Sequence, residues 1–218
     1  MLRRSLVVLV VAAGATLGAQ APNKVQQPTL TPQDSGTALG LIAVSAVNPQ
    51  VVWAAGRGGT FTVTTDGGAT WRAGVVPGAE ALQFRDVEGV SAKVAYLLSI
   101  GNGTDSRIYK TEDGGATWTL QFQNQVPDAF YDCFAFWTPN RAIAQSDSVN
   151  GVFPVLRLTD GETWEDISGN MPPALPGEAS FASSGTCVAT QGGQRGLDSD
   201  VGLQNPGHDG RGRLVGSL

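Results

Sequence analysis

Asp86, Asp132 and Glu178 stand 46 and 46 residues apart. Three carboxylates brought together by such a spacing have three chemical options. They could hold a hard cation such as Ca²⁺ through oxygen ligands, or receive a basic segment of a partner protein. Crowded together, they would also repel one another and raise each other's pKa. Arg57, Arg85 and Asp147 are the charged residues expected to share their neighbourhood. Arg85 follows the same strand as Asp86 and is expected to point the other way by strand alternation. The plain alternative is that each carboxylate caps a turn or meets water. No cofactor is expected, and Ca²⁺ is the one metal worth considering.

The elements that would position these residues are set by a repeat. Thr64-Thr-Asp-Gly-Gly-Ala-Thr-Trp71 returns as Thr111-Glu-Asp-Gly-Gly-Ala-Thr-Trp118, and in worn form as Leu158-Thr-Asp-Gly-Glu-Thr-Trp164. Asp66, Asp113 and Asp160 are 47 and 47 apart. Trp71, Trp118 and Trp164 are 47 and 46 apart, so the third turn has lost a residue. A fixed period of this length marks a stacked repeat. Asp-Gly between two extended runs suits a tight hairpin, because glycine tolerates positive φ and the aspartate can accept backbone N–H groups. The defining positions are Thr64, Asp66, Gly68, Thr70 and Trp71 in the first turn, and Thr111, Asp113, Gly115, Thr117 and Trp118 in the second. The third keeps Asp160, Thr163 and Trp164. These residues read as structural.

Around the turns the strands fall in order. The first unit has strands at Ala38 to Val47, Val51 to Ala55, Thr60 to Thr64 and from Thr70. The second has Leu82 to Val87, Val94 to Ser99 and Arg107 to Thr111. The third has Phe130 to Trp137, Arg141 to Gln145 and Val155 to Leu158. A fourth begins with Ala179 to Ser183 and Cys187 to Thr190. Four antiparallel strands per unit, with an aromatic and an Asp-Gly turn in each, make an all-β propeller of four-stranded blades. About three and a half blades are present, an incomplete ring. The first strand of each blade would line the central channel, with its start on the face opposite the turns. Each tryptophan would pack between neighbouring blades.

Composition agrees. The chain has 218 residues, 29 of them glycine, with 15% charged residues and a net charge of −5. A nucleic-acid partner is not expected, because there is no basic footprint. Residues 1–19 read as a secretory signal peptide: Met1-Leu2-Arg3-Arg4, then an apolar run from Ser5 to Leu17 and a small-residue cleavage site. That implies export to the periplasm or beyond, with no membrane span once the signal is removed. Residues 20–37 form a Pro-, Gln- and Thr-rich linker, and 38–195 the blades. At Gly196 the pattern stops. Residues 196–218 read as an aberrant or disordered tail, from a change of reading frame near Arg195 or as a natural terminus. The gene sequence beyond codon 195 decides between these. Cys133 and Cys187, 54 residues apart, would meet an oxidising compartment. The sequence leaves open a disulfide or two buried thiols, and the number and spacing do not suit zinc.

The turns resemble the Asp-box (BNR) hairpins of sialidase-type propellers. The chain is further similar to bacterial exported proteins related to the plant and cyanobacterial photosystem II stability/assembly factor. That likeness rests on the turns, on Val75 to Leu82, Phe84-Arg85-Asp86, Tyr96 to Gly101, Asp132 to Phe136, and Leu175 to Glu178. It implies a larger propeller than this chain builds, and a non-catalytic scaffold for protein binding or assembly. The shared sialidase-like fold implies the alternative, a glycoside hydrolase or glycan-binding lectin. Sialidase chemistry needs a tyrosine nucleophile, yet Tyr96, Tyr109 and Tyr131 fall inside strand patterns and read as core or surface aromatics. His208, the one histidine, sits in the tail and offers no catalyst.

Overall fold

The computed structural model describes residues 29–182, 187–191, 195–198 and 213–217. The expected signal segment, the first half of the linker (residues 20–28) and His208 lie outside them. All the strands belong to one compact unit, Gln33–Leu218.

The first sheet runs in the order β1 (Leu41–Ala46), β2 (Val52–Gly56), β3 (Thr60–Thr64), β4 (Arg72–Val75). The second is β5 (Gln83–Gly89), β6 (Ala95–Ile100), β7 (Arg107–Thr111), β8 (Thr119–Gln123). The third is β9 (Tyr131–Thr138), β10 (Arg141–Ser146), β11 (Val155–Leu158), β12 (Trp164–Asp166). All pairings are antiparallel. Strand β1 adjoins β5, β5 adjoins β9, and β9 adjoins β13, so the first strand of each sheet is the inner one. These are the expected propeller blades, and the ring is unclosed.

The fourth sheet departs from expectation. Its strands are β13 (Val188–Gln191), β14 (Arg195–Asp198) and β15 (Arg213–Ser217). The expected first strand at Ala179 to Ser183 is not a strand over its described residues 179–182, and β13 takes the inner place instead. The reason is local: the Ser180 N–H donates to the Asp147 carboxylate (2.8 Å), so it is not available to a ladder. Two segments of the patternless tail also pair as strands, Arg195–Asp198 and Arg213–Ser217.

Three apolar clusters hold the blades together, as stacked repeats require. Between blades one and two, Trp118 meets Phe61 edge-on at 5.0 Å and Trp53 at 6.3 Å. Between blades two and three, Tyr96 packs on Phe136 (4.8 Å), which meets Trp164 at 6.3 Å. Trp118 and Trp164 thus occupy the inter-blade places expected of them. Trp71 instead donates its indole N–H to Gln33 (2.9 Å) of the lead-in. Buried Lys110 reaches across from blade two to Glu162 of the third turn and pairs with Glu112 at 2.9 Å. The third cluster joins blade three to the fourth sheet and contains a disulfide between Cys133 and Cys187, so the two cysteines are not free thiols.

The first two Asp-Gly turns have the same bonding. The Thr64 hydroxyl donates to Asp66 (2.8 Å) and accepts from the Gly68 N–H (2.9 Å). Asp66 also accepts from the Thr70 N–H (2.9 Å) and hydroxyl (2.6 Å). Thr111, Asp113, Gly115 and Thr117 repeat every one of these bonds. In the third turn Leu158 replaces the threonine, and Asp160 accepts from the N–H groups of Glu162 and Thr163, both at 2.8 Å. Bonding to the threonines holds Asp66 and Asp113 down at about 2, and the Thr163 and Glu162 amides lower Asp160. Gly115 has φ +86°, and a Cβ there would lie 2.5 Å from the Phe61 ring. Gly115→Ala is therefore expected to cost about 2 kcal/mol, from left-handed backbone strain plus overpacking. A lowered urea midpoint at unchanged slope is the measurement.

Candidate functional site

The register shows which positions in successive blades correspond. Val52, Ala95 and Ala142 open equivalent pairings with Thr64, Thr111 and Leu158. Counting along the second strands makes Gly56, Ser99 and Ser146 equivalent. Their inner-strand partners are Leu41, Phe84 and Tyr131. The next pairs begin at Ala43, Asp86 and Cys133, so each inner strand carries one extra residue there: Ile42, Arg85 and Asp132. That extra residue is a β-bulge, which leaves the ladder and re-aims its side chain.

This corrects the 46-residue series. Asp132 corresponds to Arg85, and Asp86 to Cys133. A one-residue offset turns a side chain to the opposite face of a strand, so Asp86 and Asp132 do not share a ring. Glu178 belongs to neither position. The amide of Ala79 bonds to Val76 O, that of Ala129 to Val126 O, and that of Glu178 to Leu175 O. Glu178 is thus the counterpart of two buried alanines in the turn before the inner strand. Its carboxylate accepts from the Leu175 N–H at 2.5 Å, capping its own turn.

Asp86 faces inward. Its carboxylate accepts from the N–H groups of Val87 (2.9 Å) and Phe134 (3.0 Å), tying β5 to β9. Burial pushes its pKa up to about 7 against the pull of those two donors. Arg57 is exposed, in a β-bridge with Gln83 at the start of blade two.

Arg85, Asp132 and Asp147 do come together. They line one pocket of about 240 Å³ with Ile100, Phe130, Ser180, Phe181 and Ala182. The pocket lies at the end of the blades opposite the Asp-Gly turns, as the starts of the inner strands require. Asp132 is 2% exposed, and its Oδ2 has no hydrogen-bond partner among the described residues. Burial and the neighbouring Asp147 charge raise its pKa to about 8. Burial also raises that of Asp147, against the Ser180 amide. The Gln83 amide, with its oxygen turned to the guanidinium, accepts from Arg85 at 2.7 and 2.9 Å. Phe181 is 54% exposed at this site.

Sequence reading found Arg85, Asp132 and Asp147 but not Ser180, Phe181, Phe130 or Ile100. The loop between the third and fourth blades brings Ser180 and Phe181 in, and no periodicity marks a loop. Among the described residues no group of three acidic, histidine or cysteine side chains converges to hold a metal ion, so the three-carboxylate Ca²⁺ arrangement is not formed. Tyr96, Tyr109 and Tyr131 are all buried. The Tyr96 hydroxyl donates toward the carbonyls of Pro139 and Gly161, both at 3.1 Å. Burial raises the pKa of Tyr96 and Tyr131, the reverse of what an activated phenolate needs. Among the described residues no helix is long and apolar enough to cross a membrane.

The blades and their register define an antiparallel, four-stranded-blade propeller. The solved structure of YCF48 bound to a D1 peptide has this fold: TM-score 0.50, 16% identity, over 82% of this chain and 55% of that one. The chain thus spans about half the length of that propeller. Also similar are YCF48 from Cyanidioschyzon merolae (TM-score 0.46, 17% identity, 82% and 56% covered) and the Niastella koreensis GH74 enzyme (TM-score 0.43, 18% identity, 58% and 22% covered). No family model and no curated protein matches the chain.

Proposed function

We propose that this chain is an exported, non-catalytic propeller scaffold that binds a segment of a protein partner at the channel-face pocket. The observation that carries the reading is the pocket itself. It joins a guanidinium, two carboxylates and an exposed phenylalanine at the inner-strand ends. Concave sites with a few convergent polar groups and perturbed carboxyl groups are where binding concentrates. The Asp-Gly turns, which fit Asp-box hairpins, are committed to their own hydrogen bonds at the other end. A propeller of the same fold has been solved with a peptide bound, which supports a peptide rather than a glycan as ligand. Export rests on the basic and apolar N-terminal segment and on the paired cysteines, which need an oxidising compartment.

A photo-crosslinking residue at position 181 tests the binding reading, with position 69 in the first Asp-Gly turn as control. The expected result is a protein adduct from 181 and none from 69. Equal labelling from both positions, or retention on immobilised glycans without any protein adduct, would overturn it. A secretion reporter fused after residue 37 should become active outside the cytoplasm; a reporter retained inside removes the export reading.

A further inference from the structure

Asp132 and Asp147 line the pocket together, close enough for each charge to be felt by the other. Among the described residues no ion pair reaches either one. Arg85 lines the same pocket, but its guanidinium bonds to Gln83, not to these carboxylates. Asp147 has one defined donor, the Ser180 amide at 2.8 Å. Asp132 is nearly fully buried; its carboxyl draws on the backbone amides of Ala182 and Asp147, but its Oδ2 has no donor among the described residues. A buried carboxylate oxygen without a donor costs free energy unless something pairs with it. The described residues leave that one oxygen unpaired.

The walls narrow down what would. Ile100, Phe130 and Phe181 surround the carboxylates with apolar surface. A hard divalent ion wants six to eight oxygens, and the described residues bring no third acid to the place. A basic side chain combines the missing features: an apolar stem for the aromatic and aliphatic walls, and a charged head with several donors. About 240 Å³ is space for several waters at roughly 30 Å³ each, enough for such a stem and head. Phe130 and Phe181 also bring two aromatic rings to the pocket lining, the kind of side chain that attracts a cation.

We infer that this pocket receives a single basic side chain, lysine or arginine, presented by the partner protein, with its cationic head on Asp132 and Asp147. The inference rests on the binding reading above and names the chemistry of that same site. Burial and the Asp147 charge keep a proton on Asp132 up to about pH 8, and the incoming cation takes the place of that proton.

The test uses the full chain and three capped tripeptides, acetyl-Gly-Lys-Gly-amide, its arginine counterpart, and the first with its lysine Nε-acetylated. Backbone amide shifts of Asp147 and Ser180 are followed by nuclear magnetic resonance. The lysine or the arginine peptide is expected to saturate those shifts. The acetylated peptide should bind at least about tenfold more weakly, as should the lysine peptide to Asp132→Asn, since each change removes one partner of a buried charge pair. Equal binding by the acetylated peptide, or unchanged binding to Asp132→Asn, overturns the inference. If Asp132→Asn loses its native spectrum, Asp147→Asn carries the same comparison. The two readings fail separately. Peptide binding without a protein adduct at position 181 sinks the scaffold and leaves the pocket's chemistry. A protein adduct that Asp132→Asn does not weaken sinks the pocket and leaves the scaffold.

Discussion

Replacing Cys133 and Cys187 with serine should lower the unfolding free energy by about 4 kcal/mol. The bridge spans 54 residues, and closing a loop of that length removes about this much from the unfolded chain's entropy. It is also the covalent link between blade three and the segment leading into the fourth sheet. Strand β13 otherwise adjoins β9 through a small cluster: Ile143, Phe153, Val155, Ile167 and Val188 with the cysteines. Loss of the bridge should therefore appear first at the fourth sheet. Hydrogen exchange is expected to speed up in Val188–Gln191 while the buried centre of β6 stays protected. Uniform acceleration across all four sheets would show that the bridge supports the whole unit rather than its end.

The second large effect is a dependence on pH that runs opposite to ordinary acid denaturation. The folded-state pKa of Asp132 is raised to about 8, and that of Asp86 to about 7. Between pH 4 and 8 the folded chain thus holds more protons than the unfolded chain. By linkage, stability falls as pH rises through that window. Asp66 and Asp113, held near 2, contribute stability that is complete above pH 4 and lost as pH falls toward 2. The optimum is expected at pH 4–5. Asp132→Asn should raise stability at pH 8 by on the order of 3 kcal/mol and flatten the alkaline side of the profile. Asp86→Asn should gain less, because its carboxylate accepts two backbone N–H groups and an amide oxygen paired with an NH₂ cannot replace both. Thermal unfolding from pH 3 to 9 measures all of this. An unchanged midpoint for Asp132→Asn at pH 8 would mean that the carboxyl group is solvated.

The blades were legible because their signals are local and repeated. Asp-Gly turns at a fixed period and alternating strands suffice to place β2, β3, β6, β7, β10 and β11. The site was half legible. Arg85, Asp132 and Asp147 stand out as charged residues at the correct end of the blades. Their grouping was not visible, because equal spacing in sequence is not equal register in a sheet. Arg85 and Asp132, 47 apart, hold the same extra position in their inner strands, so Asp86 and Asp132, 46 apart, fall on different faces, and Glu178 lies in a turn. The fourth sheet was misread for a related reason. Ala179 to Ser183 has the alternation of a strand, but a side chain on a neighbouring loop takes the Ser180 amide. Strand pattern records which residues prefer an extended backbone, not which partner claims each N–H.

The bulges have a consequence for how such a chain changes over time. Ile42, Arg85 and Asp132 sit in the same seat in three blades, and they are apolar, basic and acidic. A residue outside the ladder pairs with no one across the sheet, so its chemistry can be exchanged without resetting the register of its strand. Each of the first three blades thus carries one inner-strand position whose side chain the ladder does not dictate. Side-chain chemistry can be exchanged there one blade at a time while the architecture stays fixed.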